Sequence, residues 1–211
     1  MNSARTTLIL VRHGETAWNA EGRFRGHQDI ALARRGRRQA QALGRALAPL
    51  MAGGRIYSSP LRRCLATARP LSRASGVEVE LEPALIDRDF GLWSGMSYDE
   101  VARRFPSAYQ SWLTGDPESS IPGGESLQQV AARLERFLGA LVARPHLGPI
   151  ILVTHEAVCQ VAVCLLLGLP LDRCCLIRQD NGHADIFRLG TKGVAVEGIN
   201  VPPAAARALL E

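Results

Sequence analysis

The chain reads TTLILVRHGETAWN over residues 6 to 19. The apolar run Thr6 to Val11 is typical of a buried strand, and the polar residues Arg12 to Gly14 follow it directly. A second apolar run, Pro149 to Thr154, ends in the same way at His155. The sequence therefore predicts two buried strands, each of which delivers a histidine at its carboxyl end.

Helical spacing of apolar residues alternates with such strands along the chain. This alternation predicts an α/β fold, a three-layer sandwich with a mostly parallel central sheet flanked by helices. Ligands of such sheets bind beyond the carboxyl ends of the strands, so we expect the active site there. The predicted helices are Arg37 to Met51, Arg62 to Ala74, Ser126 to Val142 and Val158 to Leu167, and the further strands are Arg55 to Ser58, Val77 to Leu81, Cys174 to Arg178, His183 to Leu189 and Val194 to Glu197.

The length of 211 residues and the 46% of hydrophobic positions predict a single domain over residues 1 to 211. Between Asp87 and Gly124, repeated glycines and prolines interrupt the helical pattern, which predicts a small cap segment beside the active site. The last residues, Val201 to Glu211, are rich in alanine and proline, and we expect a frayed tail there.

Composition argues against several classes of protein. No run approaches the roughly 18 apolar residues of a membrane span, and Met1 to Thr7 lacks the apolar core of a signal peptide, so we expect a cytoplasmic protein with no membrane partner. The five cysteines form no C-x-x-C pair, which argues against a disulfide framework and a zinc knuckle. The basic run Arg34 to Arg38 has no aromatic partners for base stacking, so we interpret it as an exposed helix face rather than a nucleic-acid site.

Further short segments, all C-terminal to His13, occur in a characteristic order along the sequence. Together with residues 10 to 19, they resemble the signature of the histidine phosphatase superfamily, which also includes cofactor-dependent phosphoglycerate mutases. The resemblance covers residues 6 to 190. The matching segments are Gly26 with Asp29, Gly36 with Gln39 and Ala40, Ser58 to Arg63 with Thr67 and Ala68, Phe90 to Gly95, Gly123 to Ser126, and Thr154 with His155.

The resemblance implies that His13 attacks the phosphorus atom of a substrate and forms a phosphohistidine, which water then hydrolyses. A phosphoryl group in transfer spreads negative charge over three oxygens, so it needs fixed positive donors around it. Arg12 and Arg63 would supply planar charged forks for these oxygens, and His155 and Asn19 would add further donors. Because the arginines neutralise the charge, we expect neither a metal nor a cofactor.

Two of these assignments have alternatives. Arg62 competes with Arg63 as the phosphate ligand, although the family spacing Ser-Pro-Leu-x-Arg favours Arg63. Asn19 has the alternative role of a helix cap. These alternatives stay open at the level of sequence.

The proton donor departs from the family pattern. Most relatives have a glutamate four residues before the glycine of the Phe-Gly-x-Trp segment, and here that position is Asp87, whose shorter side chain must lie closer to the leaving oxygen. We expect Asp87 to be the general acid, with an ion pair to Arg88 as its structural alternative. Glu156 is the second candidate, because the acid-phosphatase branch carries its acid directly after the second histidine. His155-Glu156 also begins like an H-E-x-x-H pattern, but Cys159 replaces the second histidine of that zinc site.

We expect a phosphatase rather than a mutase, because the mutases are usually longer and carry a Tyr-Gly-x-Leu-x-Gly segment where this chain has Phe90 to Gly95. Asp89 to Tyr98 and Asp180-Asn181 look similar to bacterial metal-independent phosphoserine phosphatases, so phosphoserine is one candidate among small phosphorylated metabolites. A cofactor-dependent phosphoglycerate mutase is the alternative function. A non-catalytic phospho-ligand-binding relative is least favoured, because the four residues of the phosphate pocket are all present.

The substrate itself depends on the cap. Trp93, Tyr98 and Trp112 are expected to form the pocket wall, and their positions decide which leaving group fits. Homodimers are common in the family, so a homodimer is a further expectation of the resemblance.

Overall fold

The computed structural model describes residues 6–143 and 146–210. In this part of the chain the strands form one sheet, in the order β3-β2-β4-β1-β5-β6. Neighbours among the first four are parallel, whereas β5 pairs antiparallel with both β1 and β6. The strands are β1 (Thr6–Arg12), β2 (Arg55–Ser58), β3 (Val79–Leu81), β4 (Ile150–Thr154), β5 (Ala184–Gly190) and β6 (Gly193–Val201). The predicted α/β fold with a mostly parallel sheet is confirmed.

Helices cover both faces of the sheet. Successive strand side chains point to opposite faces, so Leu8 and Leu10 of β1 join one core with α6 and α7, whereas Ile9 and Val11 join another with α2, α3 and α8. This double burial explains why the central strands are continuous apolar runs. The helices are α1 (Ala17–Ala20), α2 (Arg34–Leu47), α3 (Arg62–Ser75), α4 (Tyr98–Arg104), α5 (Pro106–Thr114), α6 (Leu127–Val142), α7 (Glu156–Leu167) and α8 (Pro203–Leu210).

The helix ends follow the local chemistry of the sequence. Helix α6 begins with a capping box, because the Ser126 side chain accepts from the backbone N–H of Gln129 and the Gln129 side chain accepts from that of Ser126. Helix α3 ends at Gly76, whose φ of 73° is the left-handed conformation that glycine adopts without strain. Helix α7 begins directly after His155, so the turn from β4 into α7 carries the second histidine.

The predicted cap segment, residues 87 to 124, contains a 3-10 turn (Gly91–Trp93) followed by α4 and α5. Its side chains form a third apolar core, in which the rings of Trp93 and Phe24 have centroids 5.2 Å apart. Gly91 is required there, because its φ is 45° and a Cβ would lie 2.3 Å from the carbonyl oxygen of Pro122. The cap therefore has its own aromatic core beside the sheet.

One predicted strand is wrong. Instead of a strand over Cys174 to Arg178, residues Leu171–Leu176 form a 3-10 helix that begins after Pro170. The backbone bonds locally rather than to a neighbouring strand, as shown by the 3.0 Å bond from the Ile177 N–H to the Cys174 carbonyl. An apolar run this short has no period that separates a strand from a helix.

The predicted frayed tail is also wrong over the residues that the structure describes. Residues Pro203–Leu210 form α8, which packs on α2 and buries Ala206 completely. Proline in the first turn and a run of alanines favour a helix once an apolar surface is available to bury it. Glu211, the last residue of the predicted tail, lies outside the described residues.

The exposure of the basic run Arg34 to Arg38 agrees with its interpretation as an exposed helix face. Arg34, Arg35, Arg37 and Arg38 are exposed on the first turns of α2. Within residues 6–143 and 146–210, no helix is long and apolar enough to cross a membrane. The expectation about a signal peptide concerns Met1 to Thr7, of which residues 1–5 lie outside the described part.

Candidate active site

His13 lies at the carboxyl end of β1 and is completely buried. Its backbone N–H donates to the carbonyl of Thr154 at the end of the adjacent β4, over 2.9 Å. The ring Nδ1 lies 2.7 Å from the carbonyl oxygen of Gly14. Because a carbonyl can only accept, Nδ1 carries the proton and Nε2 keeps its lone pair. Nε2 has no hydrogen-bond partner among the described residues.

Several elements hold the loop after His13 in place. The Gly14 N–H donates to the Thr67 hydroxyl on α3 over 3.0 Å, and the Asn181 side chain donates to the His13 carbonyl over 3.0 Å. Helix α2 crosses the loop so closely that a Cβ on Gly36 would lie 2.1 Å from the carbonyl oxygen of Glu15. The position of the imidazole is therefore fixed by α2, α3 and the segment before β5.

His155 is completely buried next to His13, and the two ring centroids are 5.2 Å apart. Its Nδ1 accepts from the Nε–H of Arg63 over 3.2 Å, which leaves the proton on Nε2, 2.8 Å from the Ser59 hydroxyl. Both ring nitrogens thus contact protein groups in this structure. The predicted convergence of the two histidines is observed, whereas donation from His155 to a phosphate stays a prediction.

Arg63 is the completely buried arginine of the pair that the sequence left open. Its Nη1 and Nη2 groups donate to the carbonyl oxygens of Gln28 and Gly26 over 2.7 and 2.8 Å, and Nη2 also contacts Asp87 Oδ2 at 3.0 Å. Arg62 is exposed on the first turn of α3. The guanidinium that reaches the site is therefore that of Arg63.

Arg12 is the last residue of β1 and directly precedes His13. Its Nη2 lies 2.8 Å from Glu156 Oε2, its Nη1 donates to the Gln179 carbonyl, and its buried Nε has no partner among the described residues. Burial lowers the pKa of Arg12, while the negative charge of Glu156 opposes that change. The guanidinium still has donors for an anion.

A buried layer of hydrogen-bonded polar residues lies next to Arg12. The Gln179 side chain donates to Asp185 Oδ2 over 2.7 Å, and the Asn200 backbone N–H donates to Asp185 Oδ1 over 2.8 Å. Burial raises the pKa of Asp185 to about 6. Through Gln179, this layer connects Arg12 to Asn200, near the end of the edge strand β6.

Arg25 is a site residue that sequence reasoning missed. It is 7% exposed, its Nη2 lies 3.8 Å from Glu156 Oε2, and its buried Nε has no partner among the described residues. It belongs to a loop without periodic pattern, so only its place directly before the matched Gly26 could have indicated it. The structure thus adds a third guanidinium to the site.

Both imidazoles are neutral near pH 7. Burial lowers the pKa of His13 well below its ordinary range, and the positive charges of Arg63, Arg12 and Arg25 lower it further. The pKa of His155 is lowered by burial and then chiefly by Arg63 and His13. A neutral His13 with an unprotonated Nε2 is the form that can act as a nucleophile.

The two candidate proton donors pair with different arginines. Asp87 is buried, pairs with Arg63, and has Oδ2 3.5 Å from His155 Nδ1. Glu156, in the first turn of α7, is partly exposed and pairs with Arg12. The ion-pair alternative for Asp87 is thus present, but with Arg63, since Arg88 contributes only its backbone N–H, 2.9 Å from Asp87 Oδ1.

The helix-cap alternative for Asn19 is observed. Its Oδ1 accepts from the backbone N–H and the hydroxyl of Thr16 over 2.9 and 2.8 Å, and the Thr16 hydroxyl in turn accepts from the Asn19 N–H. These bonds form the capping box of α1. A role of Asn19 in phosphate binding remains a prediction.

A cavity of about 270 Å³ extends from Arg25, Asp87 and Glu156 toward the cap. Tyr98 and Trp112 belong to its wall, as expected from the sequence. Trp93 does not line this cavity, because it is completely buried in the aromatic core of the cap. Within residues 6–143 and 146–210, no three His, Cys, Asp or Glu side chains are grouped so that they could hold a metal ion.

Comparisons with known sequences agree with this geometry. Residues 8–202 match the family model described as the histidine phosphatase superfamily, branch 1. Phosphoserine phosphatase 1 of Hydrogenobacter thermophilus is 33% identical over 194 residues, which are 92% of this chain and 92% of that protein. A Cronobacter sakazakii protein named "Probable phosphoglycerate mutase GpmB" is 34% identical over 163 residues, which are 77% of this chain and 75% of that protein.

Solved structures show the same architecture. The structure of a mycobacterial glucosyl-3-phosphoglycerate phosphatase with VO3 superposes with a TM-score of 0.85 and 28% identity, over 94% of this chain and all of that chain. The α-ribazole phosphatase of Shigella flexneri gives a TM-score of 0.85 and 27% identity, over 93% of this chain and 97% of that one.

Proposed function

The chain belongs to branch 1 of the histidine phosphatase superfamily, and from this premise we propose that it hydrolyses a small phosphomonoester through a phosphohistidine on His13. The family and its phosphatase-named relatives indicate a phosphatase. The intermediate, the independence from metal ions and the cytoplasmic location are parts of the proposal.

The observation that carries this proposal is the state of His13. Nδ1 is bonded to the Gly14 carbonyl, which leaves Nε2 unprotonated and without a partner among the described residues, near the positive charges of Arg63, Arg12 and Arg25. In the proposed reaction Nε2 forms a bond to phosphorus while the bond from phosphorus to the ester oxygen breaks in line. Water then attacks the phosphohistidine and releases phosphate.

Positive charge for the phosphoryl oxygens comes from the protein in this proposal. The buried Nε–H groups of Arg12 and Arg25 have no partner within residues 6–143 and 146–210, so these arginines are the ligands that we assign to the phosphoryl group. Arg63 contributes its charge and orients His155, because its remaining donors are mostly bonded to protein groups. We therefore propose that catalysis requires no metal.

The leaving oxygen needs a proton, and we propose Asp87 as its donor. Asp87 lines the cavity beside His155, where a leaving group would pass. Glu156 lines the same cavity, but it is partly exposed and pairs with Arg12 and Arg25 rather than lying beside His155, so we treat it as the alternative donor.

Two substitutions separate these donors. A proton donor matters most for alkyl esters, whose leaving oxygens are strongly basic, and least for nitrophenyl esters. We expect Asp87→Asn to slow alkyl-phosphate hydrolysis by about 10²-fold or more while nitrophenyl-phosphate hydrolysis changes much less. The opposite outcome, with alkyl esters slowed by Glu156→Gln and not by Asp87→Asn, would assign the proton donor to Glu156.

A mutase is a second candidate, favoured by the relative named for that activity. Both reactions share the phosphohistidine, and they differ in whether water or a second substrate hydroxyl accepts the phosphoryl group. The cavity of about 270 Å³ suits a small metabolite in either case.

The decisive experiment assays the purified protein in EDTA against a panel of phosphomonoesters, with and without 2,3-bisphosphoglycerate. The panel includes phosphoserine, 3-phosphoglycerate, α-ribazole phosphate and sugar phosphates, and His13→Ala serves as the blank. Hydrolysis without isomerisation supports the proposal. Isomerisation of phosphoglycerate stimulated by the bisphosphate would establish the mutase, and activity that vanishes only in EDTA would refute metal independence.

A further inference from the structure

Two adjacent cysteines form part of the cavity wall. Cys174 and Cys175 end the 3-10 helix Leu171–Leu176, and their Sγ atoms are 3.8 Å apart. Cys174 is completely buried, Cys175 is exposed, and both line the cavity that also contains Asp87 and Glu156. A reagent that enters the cavity therefore meets the Cys175 thiol first, with a second thiol directly behind it.

Arg88 makes the surroundings of this thiol pair positive. Its guanidinium is bonded to the backbone carbonyls of Glu125 and Ser119 over 2.8 and 3.2 Å. No carboxylate oxygen lies within 4.0 Å of it among the described residues. Burial lowers the pKa of Arg88 to about 10, and negative charge at the neighbouring cysteines would raise it. A thiolate at Cys175 would therefore balance a buried cation.

We propose that Cys175 is a modification site for hydroperoxides, that Cys174 is its resolving thiol, and that oxidation of the pair reversibly lowers the activity of the site. Reactive cysteines combine partial exposure with a positive neighbour and a nearby second thiol, and this pair has all three features. The hydrogen bond between the two thiols lowers the pKa of Cys175 and raises that of Cys174, and Arg88 lowers the pKa of Cys175 further, so Cys175 is the member of the pair that ionises first.

The chemistry balances as a two-electron oxidation. The Cys175 thiolate attacks one oxygen of hydrogen peroxide, so that an S–O bond forms, the O–O bond breaks, and hydroxide leaves and takes up a proton. The sulfur of Cys174 then attacks the resulting sulfenic acid, and water leaves with the thiol proton of Cys174. Two thiols and one peroxide thus give one disulfide and two waters.

Formation of this disulfide would distort the 3-10 helix that contains both cysteines. The Cα atoms of neighbouring residues are about 3.8 Å apart, which is below the usual Cα separation of disulfide partners. The strain would spread along Leu171–Leu176 toward Gln179, whose carbonyl accepts from Arg12. Oxidation would also remove the thiolate that balances Arg88. Both changes act on the phosphate pocket, and the strain makes the disulfide easy to reduce.

The other cysteines lack the exposure of Cys175. Cys64, Cys159 and Cys164 are completely buried, and burial raises the pKa of each thiol. Cys64 is nevertheless a competitor, because its Sγ lies 3.4 Å from Nε2 of His155. Oxidation of Cys64 would also inactivate the enzyme, so the experiment must distinguish the two sites.

The test treats the full-length protein with hydrogen peroxide and measures both intact mass and phosphatase activity, each variant normalised to its own reduced sample. We expect a mass lower by two hydrogen atoms, loss of most of the activity, and recovery of both with dithiothreitol. After peroxide treatment, Cys175→Ser should retain the activity and the mass of its own reduced sample. Cys174→Ser should form a sulfenic acid at residue 175 that dimedone traps, and Cys164→Ala, the matched control, should behave as the wild type.

Three results would overturn the proposal: a wild type that peroxide does not oxidise, a Cys175→Ser variant that is inactivated like the wild type, or protection by Cys64→Ala instead. Only the activity measurement depends on the proposed function. If the protein hydrolysed none of the esters, mass spectrometry and dimedone labelling would still decide whether Cys175 and Cys174 react as proposed.

Discussion

The floor and the wall of the active site are built in different ways. The floor, which we define as Arg12, His13, Arg63 and His155, lies at the ends of β1 and β4 and the start of α3, and each residue is at most 7% exposed. The wall, defined as Tyr98, Trp112, Leu113 and Cys175, comes from short helices, and three of its four residues are exposed. Strand and helix backbones fix the floor, whereas the wall depends on loop-connected segments. We therefore expect chemistry to depend on the floor and substrate choice on the wall.

The largest effect is expected in the floor, at His13. Replacing His13 with alanine removes the nucleophile, so we expect kcat to fall by at least about 10⁴-fold for every substrate. Steady-state hydrolysis of a nitrophenyl ester measures this, with circular dichroism as the control for folding. Turnover at the wild-type rate would show that His13 is not the nucleophile, and it would contradict the role assigned to the floor.

A matched pair of substitutions on α3 separates a floor residue from its exposed neighbour. Lysine keeps the charge of Arg63 but cannot reproduce its fork, which bonds to His155, Gln28 and Gly26 together. We expect Arg63→Lys to lower kcat/KM by about 10²-fold, and Arg62→Lys to leave it unchanged. Equal losses in the two variants would contradict the assignment of Arg63.

The wall should respond differently. Removing the indole of Trp112 takes one face from the cavity, so we expect KM to rise by about tenfold for the preferred ester, with a small change in kcat. Trp93→Ala is the contrasting variant, because Trp93 is completely buried in the cap core and its loss should lower the free energy of unfolding by about 3 to 5 kcal/mol. A large fall in kcat for Trp112→Ala would contradict the expectation that the wall affects substrate choice and not chemistry.

At Asp185, which connects to the floor through Gln179 and Arg12, we expect a pH-dependent effect on stability. Its pKa is raised from 3.8 to about 6, so between these pH values the folded protein holds a proton that the unfolded chain has lost. Wild-type stability should therefore fall as the pH rises through this window, by up to about 3 kcal/mol. Asp185→Asn should lack this contribution. Denaturant unfolding of both proteins between pH 4 and pH 7 measures the difference, and parallel curves would contradict it.

The sequence predicted the floor better than the wall, and the reason is physical. His13 and His155 follow buried apolar runs, and parallel strands bring such ends together at one edge, so their proximity was predictable. Arg25 belongs to a loop that has no period, and its approach depends on where the cap packs. The same limit explains the wrong strand at Cys174 to Arg178, because a short apolar segment takes its conformation from its neighbours.

The motifs indicated which segments contribute to the site, but they did not indicate the contacts of the side chains. The sequence placed Asp87 beside the phosphate pocket but suggested Arg88 as its ion-pair partner, whereas the fold supplies Arg63. Trp93 was expected on the wall and lies in the cap core instead. In both cases the pattern indicated the segment, and long-range packing decided which way each side chain points.

The link from Asn200 through Asp185 and Gln179 to Arg12 matters for protein engineering. Edge strands are usually the first places where a tag, a truncation or a new loop is introduced. Here the outermost strand, β6, holds one end of a hydrogen-bonded chain whose other end is a phosphate ligand. Changes near Asn200 should therefore be judged by enzyme activity as well as by expression, because a well-folded variant can still have a displaced guanidinium.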